Sequence, residues 1–184
     1  MTGDERRERF DRLFDEHFRA LLAYALRRVD EPADAADVAA EALLVAWRRL
    51  EEVPAGAEAR PWLFGVARRV LSNQRRGERR RDALSERLRE AVAAMPAQAP
   101  PDEDAELVRE AMRRLRRGDR EVLALVCWEG LDPSQAAAAL GIPAATARTR
   151  LHRARARMRK ELTALGWRWS AAHPPSVLPL EEGS

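Results

Sequence analysis

The sequence predicts an all-α protein: two small helical domains joined by a flexible linker, the second with a helix-turn-helix. Three observations carry this. Strand formers are scarce, with aromatics at 5% of 184 residues and a single tyrosine. Apolar residues recur at three- and four-residue steps over long stretches, the period of a buried helical stripe. Breakers gather at few places, and at residues 95–104 prolines stand among acids in MPAQAPPDED, the composition of a linker.

The first helix is expected from Glu5 to Val29, with Phe10, Leu13, Phe14, Phe18, Leu21, Leu22 and Leu26 as its buried stripe. Asp30-Glu31-Pro32 ends it, because proline cannot continue a helix. The second spans Ala33 to Leu50, with Asp34 and Asp37 in its first turns, where the helix dipole favours negative charge. A loop covers Pro54 to Glu58. The third helix starts near Pro61, a good first-turn residue. Trp62, Leu63, Val66, Val70 and Leu71 form its apolar side, and its arginines fall largely on another. Trp62 is read as core rather than as a base-stacking residue. A weaker helix is expected over Asp82–Met95.

The second domain begins near Ala105. Leu107, Ala111, Met112 and Leu115 make one short apolar face, and Val122, Leu123, Leu125 and Val126 another. Asp132-Pro133-Ser134-Gln135 is a helix start: Asp132 caps, Pro133 opens the first turn and Gln135 reaches back. Ala136 to Leu140 is a compact helix of small residues, and Gly141 supplies the left-handed turn after it. A last helix follows from Pro143 to Leu165, with Ala147, Leu151, Ala154 and Met158 inward. The expected organisation is a first domain over 1–81, a linker over 82–105, a second domain over 106–165, and a disordered tail over 166–184.

The formal net charge of +3 hides a strong pattern. Residues 1–59 carry net −5, residues 60–81 net +7, residues 82–106 net −5, and residues 141–160 net +7 with no acid at all. Two basic blocks flanking an acidic stretch suggest two separate phosphate contacts. Of the 33 basic residues only Lys160 is lysine.

Several function classes recede on the same inventory. One cysteine, Cys127, excludes internal disulfides and fits a reducing cytoplasm. No apolar run approaches the length of a membrane span, and MTGDERRERF lacks a signal-peptide core. His17, His152 and His173 are far apart in sequence, no Gly-rich phosphate cradle appears, and Asp102-Glu103-Asp104 reads as linker acid rather than a metal site. His17, on the inward side of the first helix, reads as a core histidine. No enzyme, cofactor, metal or membrane association is expected.

The short helix, Gly141, and the helix bearing Thr146, Arg148, Thr149, Arg150, His152 and Arg153 form a helix-turn-helix pattern. The second helix of such a unit enters the major groove, where early side chains reach base edges and arginines also hold phosphates.

The chain resembles the sigma-70 family of sigma factors, in its small two-domain extracytoplasmic-function group. The resemblance rests on FDRLFDEHFRALLAYALRR, DAADVAAEALLVAW and RPWLFGVARRVLSNQRR in the first domain. In the second it rests on AMRRLRRGDREVLALVCWEGLDPSQAAAALGIPAATARTRLHRARARMRKEL. It implies a factor that binds core RNA polymerase and directs it to promoter DNA, with an anti-sigma factor as a further partner. Asp34, Asp37 and Glu41 would then face core polymerase. Arg60, Arg68, Arg69, Asn73, Arg76 and Arg79 would contact the −10 element, and the loop Pro54–Arg60 would capture a flipped base. Thr146, Arg148, Thr149, Arg150, His152 and Arg153 would serve the −35 element. The sequence departs from the family pattern at Arg69 (usually Asn), Ala42-Leu43 (Thr-Phe), Pro143 (Ser) and Ala147 (Val). A stand-alone helix-turn-helix regulator is the alternative, but it would leave residues 10–81 without a role.

Overall fold

The computed structural model describes residues 2–29, 31–73 and 103–168. These are helical, with no strand among the described residues, and they fall into two compact units divided after Gln98. The weaker helix expected over Asp82–Met95 and most of the expected linker lie outside the described residues.

Among its described residues the first unit holds three helices: α1 (Gly3–Leu26), α2 (Pro32–Arg48) and α3, which runs from residue 59 to residue 73, the last described there. A capping box starts α1: the Thr2 hydroxyl accepts from the Glu5 N–H, and the Glu5 carboxylate accepts from the Thr2 N–H at 2.8 Å. Pro32 opens α2 as the sequence predicts, with Asp34 in the first turn. Small residues on its inward face, Ala35, Ala39, Ala42 and Ala46, are fully buried and let α1 and α2 approach closely. Two short 3₁₀ turns, Leu50–Glu52 and Gly56–Glu58, carry the chain to α3. Arginines on α1 tie down the far end of this path: Arg6 donates to the Trp47 carbonyl at 2.6 Å and Arg9 to the Val53 carbonyl at 2.7 Å.

The core of this unit differs from the expected stripe. His17, Leu21, Tyr24 and Ala25 are the buried residues of α1. Phe14 is 39% exposed, its ring stacked on Phe18 at 4.9 Å, and Leu26 is 46% exposed. Leu26 lies nine residues from His17, about 180° round the helix, so it cannot share the inward face. The centre is a Tyr24–Phe64 ring pair at 5.1 Å, which the sequence did not single out. Trp62 is only half-buried, whereas Leu63, Phe64, Val66, Ala67 and Leu71 are buried.

The second unit holds α4 (Glu103–Arg114), α5 (Arg117–Cys127), α6 (Pro133–Leu140) and α7 (Ala144–Ala164). Asp132 forms the predicted capping box, accepting from the Ser134 and Gln135 N–H groups at 2.7 and 2.9 Å while Gln135 accepts from the Asp132 N–H. Gly141 takes the left-handed conformation, with φ 65°. Pro143 stands at the start of α7 and supplies no side-chain cap. Ala147, Leu151, Ala154 and Met158 are buried as predicted, joined by Leu162. The helix ends in a Schellman motif: Gly166 has φ 88°, its N–H donates to Thr163, and the Trp167 N–H donates to Leu162 at 2.9 Å. Trp167 is buried, so the ordered unit extends past residue 166, where the sequence places the start of a tail. The remaining tail, 169–184, lies outside the described residues.

Candidate polymerase and nucleic-acid interfaces

Asp34, Asp37 and Glu41 are all exposed on α2. Asp37 and Glu41 are one turn apart and border a groove of about 610 Å³ between α2 and α3. Its apolar floor includes Leu44, Val45, Val66 and Val70, and its opposite edge carries Arg69 and Asn73. The groove therefore brings together two residues the family resemblance implies for polymerase and two it implies for the −10 element. Asp34 lies outside it. Leu44 is 40% exposed. The sequence carried a signal for it: Leu43 and Leu44 are adjacent, so only one can face the core. An open apolar strip edged by acids suits an amphipathic partner with basic side chains.

The basic residues of α3 separate. Arg69 is exposed and Arg68 half-buried. Arg60, at the start of the helix, is half-buried with its guanidinium over the Phe64 ring, 5.6 Å from the centroid. It sits at the core edge, near enough to His17 to act on its titration. His17 is buried, its pKa held below 6.5 by burial; Glu16, with an oxygen 3.8 Å from Nε2, opposes the shift and Arg60 adds to it. A buried histidine held neutral is the core reading of this residue. Arg76 and Arg79 lie outside the described residues.

On α7 the buried residues define one direction, and the others follow from about 100° per residue. Thr149, His152 and Arg153 are exposed on the outer face, and Arg148 and Arg150 fall on opposite flanks. Arg148, His152 and Arg153 make no ion pair or side-chain hydrogen bond among the described residues. By contrast Arg157 is engaged, donating to Asp119 of α5 at 3.0 Å, and Glu161 lies 3.6 Å from Arg114 of α4. The Thr149 hydroxyl donates to the Ala145 carbonyl at 3.0 Å, which leaves its oxygen and methyl group to face outward. A shallow hollow joins Thr146, Thr149, Arg150 and Arg153 and leaves Arg148 and His152 to one side. The basic side chains Arg148, Arg150, His152 and Arg153 have no acceptor among the described residues, which suits base edges and phosphates.

No group of three His, Cys, Asp or Glu side chains among the described residues could hold a metal. Cys127 is half-buried and burial pushes its thiol up, with Arg155 opposing, the reverse of an activated nucleophile. No helix among the described residues is long and apolar enough to cross a membrane.

Comparison with known proteins gives the family. Sigma-70 region 2 matches residues 13–81, and sigma-70 region 4 matches residues 105–158. The ECF RNA polymerase sigma factor SigL of Mycobacterium tuberculosis is 36% identical over 160 residues, covering 84% of this chain and 89% of that one. Two solved structures share the fold. The sigma factor RpoE of Bartonella quintana, determined in complex with the anti-sigma factor NepR, has a TM-score of 0.62 at 23% identity, covering 84% of this chain and 96% of that one. CnrH, determined with the cytosolic domain of CnrY, has a TM-score of 0.57 at 25% identity, covering 84% of this chain and 88% of that one.

Proposed function

The chain belongs to the sigma-70 family of RNA polymerase sigma factors, in its extracytoplasmic-function group, and on that premise we propose how its surfaces divide the work. It binds core RNA polymerase and directs promoter recognition and transcription initiation. In our reading, the first domain (1–81) docks on polymerase through Asp37 and Glu41, with Asp34 beside them, and meets the −10 element through Arg68, Arg69, Asn73, Arg76 and Arg79. Arg60, lodged against Phe64, serves mainly to anchor the start of α3. The second domain (106–165) lays α7 in the major groove of the −35 element, with Arg148, His152 and Arg153 as the outward donors and Thr146, Thr149 and Arg150 beside them. The segment 82–105 links the two. The protein acts by binding and not by turnover, in the cytoplasm where its polymerase works. An anti-sigma factor that covers either surface is the third partner.

The observation that carries this reading is the contrast within α7: Arg157 is paired inside the protein, while Arg148, His152 and Arg153 have no acceptor among the described residues. Run-off transcription with core polymerase over a promoter library tests it. Activity is expected to depend on both −10 and −35 sequences, and Arg148→Ala with Arg153→Ala is expected to erase the −35 dependence. Full −35 dependence together with unchanged promoter affinity in that double variant would remove α7 from the assignment.

A further inference from the structure

Arg150 occupies a different place from the other arginines of the DNA-facing helix. It lies about 200° from Arg148, on the flank of α7 that faces α5. Arg157, two turns on, shares that flank and is satisfied by Asp119. Arg150 is half-buried, yet it makes no ion pair or hydrogen bond among the described residues. What lies beneath it is Gly118, in the first turn of α5. A Cβ on Gly118 would stand 3.3 Å from Nη1 of Arg150 and 3.7 Å from Cζ.

The backbone does not require glycine there. Gly118 is helical and is not among the glycines with positive φ, and alanine is the better helix former. The position is therefore explained by space and not by conformation. With a side chain at 118 the guanidinium would have to give by a few tenths of an ångström, and a long, unpaired arginine has many other rotamers to move into.

We propose that Gly118 is a positioning residue for promoter binding: the space left by its missing side chain seats the Arg150 guanidinium flat on α5. Seated there, the free N–H groups of Arg150 are held ready for a DNA phosphate beside the groove that α7 enters. The inference rests on α7 being the −35 helix.

The test uses the full chain with core polymerase, measuring promoter affinity over a range of salt. Gly118→Ala is expected to weaken binding roughly three- to tenfold, about the net weight of one hydrogen bond, and to lower the salt slope by about one. Its thermal midpoint is expected to stay level or rise, because alanine favours the helix. In an Arg150→Ala background the same substitution is expected to cost nothing further. Wild-type affinity for Gly118→Ala, or an equal loss with and without Arg150, overturns the proposal. Arg148→Ala and Arg153→Ala separate the two levels. If they weaken binding while Gly118→Ala does not, only the seat is wrong; if they also leave binding unchanged, the −35 assignment itself falls.

Discussion

The two units solve the same packing problem with opposite surfaces. In the first, the groove between α2 and α3 sets acids, an apolar floor and Arg69 side by side. In the second, α7 carries seven basic residues over 141–160 and no acid, and the one acid that neutralises Arg157 is on another helix. A mixed surface suits a protein partner and a nucleic acid in neighbouring places, since an amphipathic helix needs apolar contact and complementary charge. A purely basic one suits a polyanion alone. The contrast teaches that net charge by segment finds a basic face such as that of α7 but misses a groove such as that between α2 and α3, whose charges cancel.

The largest expected effect breaks the first unit and spares the second. Phe64 is 1% exposed and packs on Tyr24. Phe64→Ala is expected to cost about 3–5 kcal/mol, the range for an aromatic deleted from a core. Hydrogen exchange resolved by residue is the measurement: protection should fall across α1–α3 while α5–α7 keep theirs. Equal loss in both units would mean that the two cores do not melt separately.

Much of this was legible in the sequence because the signals were local. Asp132, Gln135 and Gly141 form the predicted cap and turn, since capping chemistry is decided within four residues. The inward face of α7 follows from spacing alone. The first unit is less legible. Phe14 and Leu26 are as apolar as Leu21, and only the place where α2 and α3 cross α1 decides which of them is covered. Tyr24 and Phe64 are 40 residues apart, and no local pattern pairs them. The α2–α3 groove escapes the sequence for the same reason: Asp37 and Arg69 belong to different helices, and the family resemblance assigns them to different partners.

On the second unit, Arg148→Ala and Arg153→Ala are each expected to cost about 1–3 kcal/mol of promoter binding if they hold a base bidentately. Contact with phosphate alone would give a uniform loss across −35 variants and a salt slope smaller by about one. A set of −35 single-base substitutions assayed against each variant separates the cases. Unchanged binding for both would leave the basic face of α7 without its ligand.

On the first unit, Asp37→Arg is expected to weaken core-polymerase binding roughly tenfold, chiefly through a slower and more salt-sensitive association, as for a charge at an interface edge. The thermal midpoint should hardly move, because Asp37 is exposed. A competition assay against the unaltered chain reads the affinity. The same substitution should leave DNA binding by the second unit untouched. Equal affinity would take Asp37 out of the docking surface and shift attention to Leu44 and the apolar floor.

The smallest expected effect is a difference in acid sensitivity between the units. His17 is buried in the first, and burial holds its pKa below the ordinary 6.5, Glu16 opposing and Arg60 adding to the shift. A histidine depressed in the folded state binds its proton more readily once unfolded. Its contribution is therefore complete above about pH 6.5, the unfolded value, and is lost as the pH falls through the lower folded value. The second unit has His152, which is exposed and outside any core. Thermal melts followed by hydrogen exchange at pH 7.5 and pH 5.5 should show α1–α3 losing protection before α5–α7. His17→Gln, which keeps a polar side chain that cannot charge, should flatten the pH dependence of the first unit even where it lowers stability at neutral pH. If the dependence survives in His17→Gln, another group in the first unit carries it. If α5–α7 respond as strongly as α1–α3, acid sensitivity does not follow the buried histidine at all.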